Sequence, residues 1–177
     1  MRIVIALCCM LFGPWLVAAQ PQVPFGDVVS EKVTNYHRHT PTLATSGKLQ
    51  PGAAQELKAH GFVTVVDLRN AHEGLADGID VANEKAALEA VEISYINLPM
   101  GKGWPTPEQV DQFGRIVENQ AMGPVLLHCG SANRAAVLWS AYRLQMGVAF
   151  EQVLLEARTI GIKPARESQL REAVGLN

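Results

Sequence analysis

The sequence predicts an α/β fold of three layers, a central and mainly parallel sheet flanked by helices. Three observations predict it. Short runs rich in β-branched or apolar residues, at 62–66, 91–98 and 125–127, alternate with segments of helical character. Val125-Leu126-Leu127 is continuously apolar, as a strand covered on both faces of a parallel sheet must be. The 177 residues, 48% of them hydrophobic, suffice for one compact domain with a real core but not for two.

Residues 1–19 read as an export signal. Arg2 supplies the positive start and residues 3–17 are mostly apolar. Val17-Ala18-Ala19 places small residues where a signal peptidase reads, ahead of the polar Gln20-Pro21. The apolar stretch is short for a membrane span and Gly13-Pro14 interrupts it, so the reading is a cleaved leader with no stable span afterwards, an uncleaved anchor being the alternative. The chain is therefore expected to be exported, to a periplasm or outside the cell. Leu7 stands before Cys8, where a lipoprotein signal needs a small residue. Of the three cysteines, two lie in this leader, which leaves Cys129 with no partner for an internal disulfide.

Residues 20–46 read as an extended or loop-like lead-in with a short strand near Tyr36, and residues 47–177 as the domain proper. His37 and His39 lack a third ligand at helical spacing and are read as surface or pocket-rim residues. A short helix is predicted over 51–60, with Pro51 in its first turn and Gly61 ending it. The run Phe62-Val63-Thr64-Val65-Val66 gives the first core strand. Asp80 caps a helix reaching about Ala90, and 91–98 is a second strand that Pro99 ends. Thr106-Pro107-Glu108-Gln109 carries a cap, a first-turn Pro and a capping-box Gln. Val110, Phe113, Val117 and Ala121 then share one helical face. Gly123-Pro124 breaks the chain before the strand 125–127. Helices follow from about Arg134 to Met146, near 150–159 and near 164–174.

The formal charge is −2 and no run of Lys or Arg stands out, which argues against a nucleic-acid partner. The acidic residues are scattered, which argues against a hard-metal cage; neither a metal nor a cofactor is expected.

The chemistry concentrates in His128-Cys129-Gly130-Ser131-Ala132-Asn133-Arg134. An apolar strand delivers Cys129 to its carboxyl end, a loop of small residues follows, and Arg134 opens a helix. Ligands of open α/β sheets bind at such strand ends. Small residues let backbone N–H groups turn inward, the helix N-terminus adds about half a positive charge, and an Arg can fork two N–H bonds onto a tetrahedral anion. The same field favours a thiolate over a thiol. Nucleophile and oxyanion cradle in one segment point to attack on phosphorus.

This segment resembles the signature of the cysteine-dependent phosphatase superfamily: His-Cys, a short loop, then Arg. The sequence is most similar to the bacterial group related to the phosphatase domain of beta-lactamase-hydrolase-like proteins, itself akin to dual-specificity phosphatases. Thr45-Ser46-Gly47-Lys48-Leu49, the stretch from Gly61 to Arg69 with Glu73 after it, and Tyr95-Ile96-Asn97-Leu98-Pro99 look like that group's opening segment and its first two core strands. The resemblance implies a tyrosine- or dual-specificity-phosphatase-like fold and a phosphomonoester substrate, protein or small molecule. It makes Cys129 the nucleophile and Arg134 the phosphoryl ligand. The backbone of Gly130, Ser131, Ala132, Asn133 and Arg134 would be the cradle, with His128 orienting the loop and tuning the thiolate. Asp67 and Arg69 would brace the site from the neighbouring strand end, or form an ordinary ion pair beneath the sheet.

The sequence departs from that pattern in places. Four residues separate Cys129 from Arg134, where most tyrosine phosphatases have five and rhodaneses often have four. Ala135 follows Arg134 where many members have Ser or Thr, and Ala132 stands where many relatives have Gly. No Asp occupies the acid loop, which reads Gly103-Trp104-Pro105-Thr106; the next carboxylates, Glu108 and Asp111, are the candidate general acids. A missing acid implies a preference for aryl phosphates, whose leaving groups need little protonation. Two other functions fit the same residues: a rhodanese-like sulfurtransferase carrying a persulfide on Cys129, and a non-catalytic phosphate- or phosphopeptide-binding module.

Overall fold

The computed structural model describes residues 21–75 and 80–176, so the expected leader lies outside the described residues. Five strands, β1 (His37–Thr40), β2 (Leu43–Ser46), β3 (Thr64–Asp67), β4 (Ser94–Asn97) and β5 (Val125–His128), form one sheet in the order β1-β2-β5-β3-β4. The last four run parallel, and β1 alone is antiparallel to its neighbour. α1 (Ala53–Ala59) and α2 (Val81–Glu89) cover one face. α3 (Pro107–Glu118) and α4 (Asn133–Gln145) cover the other, with α5 (Phe150–Ile160) and α6 (Pro164–Glu172) packed on α4.

Strand alternation divides the core. On β5, Val125 and Leu127 join Phe113, Ala136 and Leu138 on the α3–α4 side, whereas Leu126 joins Leu57 and Leu88 on the α1–α2 side. The predicted caps form as read. The Asp80 side chain accepts from the amides of Ala82 and Asn83. Thr106 and Gln109 close a capping box with Pro107 in the first turn.

The lead-in reading needs correction. The first strand, β1, lies next to the short strand read near Tyr36, but the stretch read as lead-in supplies a second, β2, which is wholly buried beside β5, so the sheet takes in residues 37–46. Leu43-Ala44-Thr45-Ser46 holds a single bulky apolar side chain and therefore shows little strand character on its own. It is a strand because it pairs with β5 from Leu43↔Val125 to Ser46↔His128.

Candidate active site

The carboxyl ends of β2, β5 and β3 converge on the segment from Cys129 to Arg134. The Cys129 amide donates to Ser46 O (3.4 Å), and Gly47 pairs with Ser131 as an antiparallel bridge. Gly47 has no Cβ for a steric reason: one built there would meet Thr34 Oγ1 at 2.8 Å and the Ser131 carbonyl carbon at 3.4 Å. Gly47→Ala should therefore displace the loop and destabilise the protein by about 1–3 kcal/mol. A lower urea midpoint at unchanged slope is the expected reading; an unaltered midpoint would refute the close approach.

The loop turns into α4 through Ala132, whose φ of 65° lies in the left-handed region. That conformation accounts for the glycine that related loops carry at this place. Gly130 and Ser131 are exposed, while Cys129 is only 1% exposed and joins the α3–α4 core, a free thiol at the floor of the loop. It is not sealed away electrostatically, because Cys129 and the Arg134 guanidinium lie close enough to act on one another.

Arg134 is held from three sides. Glu73 grips both terminal nitrogens (2.7 Å at Nη1), and Nη1 also donates to Leu68 O (3.0 Å) and Met100 O (3.2 Å). None of these bonds uses Nε. Burial alone would lower the Arg134 pKa, but Glu73 and the Cys129 sulfur outweigh it and raise it. The Arg134 hydrogen bonds hold the Glu73 carboxyl below its ordinary range, so Glu73 is an anion that orients Arg134 and has no proton to give.

His128 points the other way. It alternates with Cys129 across β5 and faces α2, where Nε2 lies 2.8 Å from Glu84 and 3.5 Å from Asp67. Arg69 binds both carboxylates at 2.8 Å, and the Tyr95 hydroxyl donates to Asp67 (2.8 Å). Asp67, Arg69, Glu84 and His128 are all buried. The three metal-type ligands of this group, Asp67, Glu84 and His128, lie within 4.8 Å of one another, but the cation among them is the Arg69 guanidinium. Burial would lower the His128 pKa, yet Glu84 and Asp67 prevail and raise it. The two carboxyl groups thus face a guanidinium and an imidazole whose protonated form they favour.

The side chain of His128 consequently does not touch the sulfur; its link to the loop is through the backbone of β5. Asp67 and Arg69 do form an ion pair beneath the sheet. They also flank Leu68, whose amide donates to His128 O (3.0 Å) and whose carbonyl receives Arg134.

Neither candidate acid is poised over the sulfur. The Asp111 carboxylate accepts from Gln145 Nε2 (2.8 Å) at the C-terminal end of α4, about 18 Å along that helix from its catalytic end. Glu108 sits in the exposed first turn of α3. The local backbone amide and the Thr106 hydroxyl hold its pKa below the ordinary range, opposite to what a general acid requires. Met100 is a core residue, and Trp104 packs between the α4 and α5–α6 clusters, so both anchor the loop.

Glu84 and Arg166, both tied to this region, carry no sequence signal, and Tyr95 reads only as part of a strand. Each is an ordinary helix or strand residue until the fold brings it in.

Comparison with known proteins decides the family. Residues 35–145 match the beta-lactamase hydrolase-like protein, phosphatase-like domain. The chain belongs to that family. The tyrosine/dual-specificity-phosphatase-like fold is shared with solved phosphatases. The core catalytic domain of the PP-IP phosphatase SIW14 of S. cerevisiae, solved with citrate, superposes with a TM-score of 0.65 at 14% identity, covering 82% of this chain and 86% of that one. TpbA of P. aeruginosa, solved with phosphotyrosine, gives 0.64 at 19% identity, covering 90% and 93%. A curated relative from Oryza sativa subsp. japonica, "Probable NAD kinase 2, chloroplastic", is 29% identical over 140 residues; these are 76% of this chain but 13% of that protein. Membership in this family separates the chain from the rhodanese-like alternative that its four-residue spacing left open.

Proposed function

We propose that this phosphatase hydrolyses phosphate monoesters through a phosphocysteine on Cys129. In the first step Cys129 Sγ attacks phosphorus in line; the S–P bond forms, the ester P–O bond breaks, and the leaving oxygen departs with its electron pair. In the second, water attacks phosphorus, the S–P bond breaks, and inorganic phosphate leaves. Throughout, the Nε–Nη2 edge of Arg134 and the amides from Gly130 to Arg134 hold the non-bridging oxygens at the positive end of α4. One observation carries the reading: a guanidinium fixed by Glu73, Leu68 O and Met100 O stands where α4 begins, at the end of the short loop that starts with Cys129 and within its electrostatic reach.

The leaving oxygen takes its proton from water, since Asp111 is remote, Glu108 is held ionised and Glu73 serves Arg134. Aryl phosphates are therefore the favoured substrates, in keeping with the phosphotyrosine bound by TpbA. With p-nitrophenyl phosphate and an alkyl phosphate of equal charge, the aryl ester should react faster by about 10²–10⁴-fold, the usual worth of a positioned acid. Acid quenching during turnover of labelled aryl phosphate should trap one phosphorylated cysteine. Equal rates on both esters would restore a general acid; turnover with no label on Cys129 would end the covalent route.

A further inference from the structure

Three consecutive carbonyls of the loop between β4 and α3 are capped by one helix at the other end of the domain. Arg166, in the first turn of α6, donates from Nη2 to Gly101 O (2.8 Å) and from Nη1 to Gly103 O. Gln169, one turn further, donates from Nε2 to Lys102 O (3.2 Å) and accepts from Arg166 Nη1 (3.2 Å). The residue before this trio, Met100, gives its carbonyl to Arg134. Four successive carbonyls thus face two guanidinium groups and an amide, and the first of the four is a support of the phosphoryl-binding fork.

Arg166 is buried, with 8% of its surface exposed, an unusual position for a cation without a carboxylate partner in these contacts. Its pKa is lowered, by burial first and next by the charge of Arg134, and Cys129 acts on it in the opposite sense. One buried and one partly buried guanidinium group therefore stand in the field of one sulfur. Holding like charges together disfavours both, and only the loop carbonyls and whatever anion enters the site offset that cost. Glycines at 101 and 103 would leave this loop free in its backbone angles; no atom lies within 4 Å of where a Cβ would be built on either.

We propose that Arg166 is a positioning residue of the phosphatase site. With Gln169 it clamps residues 101–103 as a fixed wall, so that Met100 O keeps the Arg134 fork aimed at the anion. This deepens the function proposed above and rests on it for its effect on turnover, but the clamp itself can be read without turnover. α6 is then part of the site although it contributes no group that touches the phosphoryl, and the loop between β4 and α3 acts as a strut.

The test uses Arg166→Gln, Arg166→Lys and Gln169→Ala in the full domain, with two readouts. The first is hydrogen exchange at 101–103 together with the rate of tryptic cleavage after Lys102. The second is steady-state hydrolysis of p-nitrophenyl phosphate with competition by inorganic phosphate. Arg166→Gln should quicken both exchange and cleavage at least tenfold, and lower kcat/KM by about 10–100-fold, with weaker phosphate competition. Gln169→Ala should produce a smaller version of both. Arg166→Lys keeps the charge but cannot bridge two carbonyls, so it should restore phosphate competition more than it restores the loop. Should Arg166→Gln prove too unstable to purify, the two milder variants carry the same comparison. An unchanged loop in all variants overturns the clamp, and a loosened loop with unchanged kcat/KM overturns the positioning role. A wild-type protein that turns over nothing while its loop still loosens in the variants counts against the proposed function and leaves the clamp standing.

Discussion

Cys129→Ser should lower kcat on aryl phosphates by about 10⁴–10⁶-fold while leaving phosphate binding nearly intact, because the substitution removes the nucleophile and nothing that holds the anion. Serine is close to cysteine in size, and residue 129 sits in a packed environment, so the fold should survive. Arg134→Lys should act differently. A lysine ammonium keeps the charge but cannot receive Glu73 on one edge and an oxyanion on another, nor reach Leu68 O and Met100 O in the same pose. Loss of one such preorganised donor costs about 10²–10³-fold in rate, and here phosphate affinity should fall with it. Isothermal titration with phosphate or vanadate, paired with kinetics, separates the two variants. A Cys129→Ser protein that turns over at more than a hundredth of the wild-type rate, or an Arg134→Lys protein that binds phosphate as well as wild type, would contradict the assignment of roles.

The parts of this site legible in the sequence are those written in consecutive residues. From Val125 to Arg134 the strand, the turn and the helix start are local properties, so Cys129 and Arg134 could be named before any fold was known. The helix starts at Asp80 and Thr106 were equally local, since a cap and the amides that donate to it lie within three residues. What escaped were features set by pairing and by facing. β2 became a strand through β5. His128, adjacent to Cys129 in the chain, lies on the opposite face of the sheet because strand side chains alternate, and proximity in sequence suggested a contact that strand geometry forbids. Glu84 and Arg166 reach the site across the sheet and from the last helix. No spacing rule links a residue of α2 or α6 to a loop 45 or 32 positions away from it in the chain, so only the packed fold could show those contacts.

Asp67→Ala should be the most damaging substitution outside the reacting groups. It leaves Arg69 and His128 facing Glu84 alone in a buried, low-dielectric space, and breaking a buried charge cluster by removing one member costs about 3–5 kcal/mol. The loss should reach activity as well, because Asp67 and Arg69 hold Leu68, and Leu68 O holds Arg134. The pH dependence of stability gives the sharper test. The His128 pKa is raised in the fold, so its contribution is fully present below its unfolded value of about 6.5 and is lost as the pH rises through the higher folded value. The Asp67 pKa is lowered: burial opposes this, but His128 and Arg69 prevail. Its contribution is therefore present above its unfolded value of about 3.9 and is lost as the pH falls through the folded one. The two effects leave a plateau between roughly pH 4 and 6.5, with stability falling on the alkaline side as His128 gives up its proton to solvent and Glu84 and Asp67 face only Arg69. Thermal melts across that range should show the alkaline slope in wild type and its loss in His128→Gln, which cannot titrate. An alkaline slope undiminished in His128→Gln would place its origin elsewhere, and with it would go the view that an imidazolium balances this cluster.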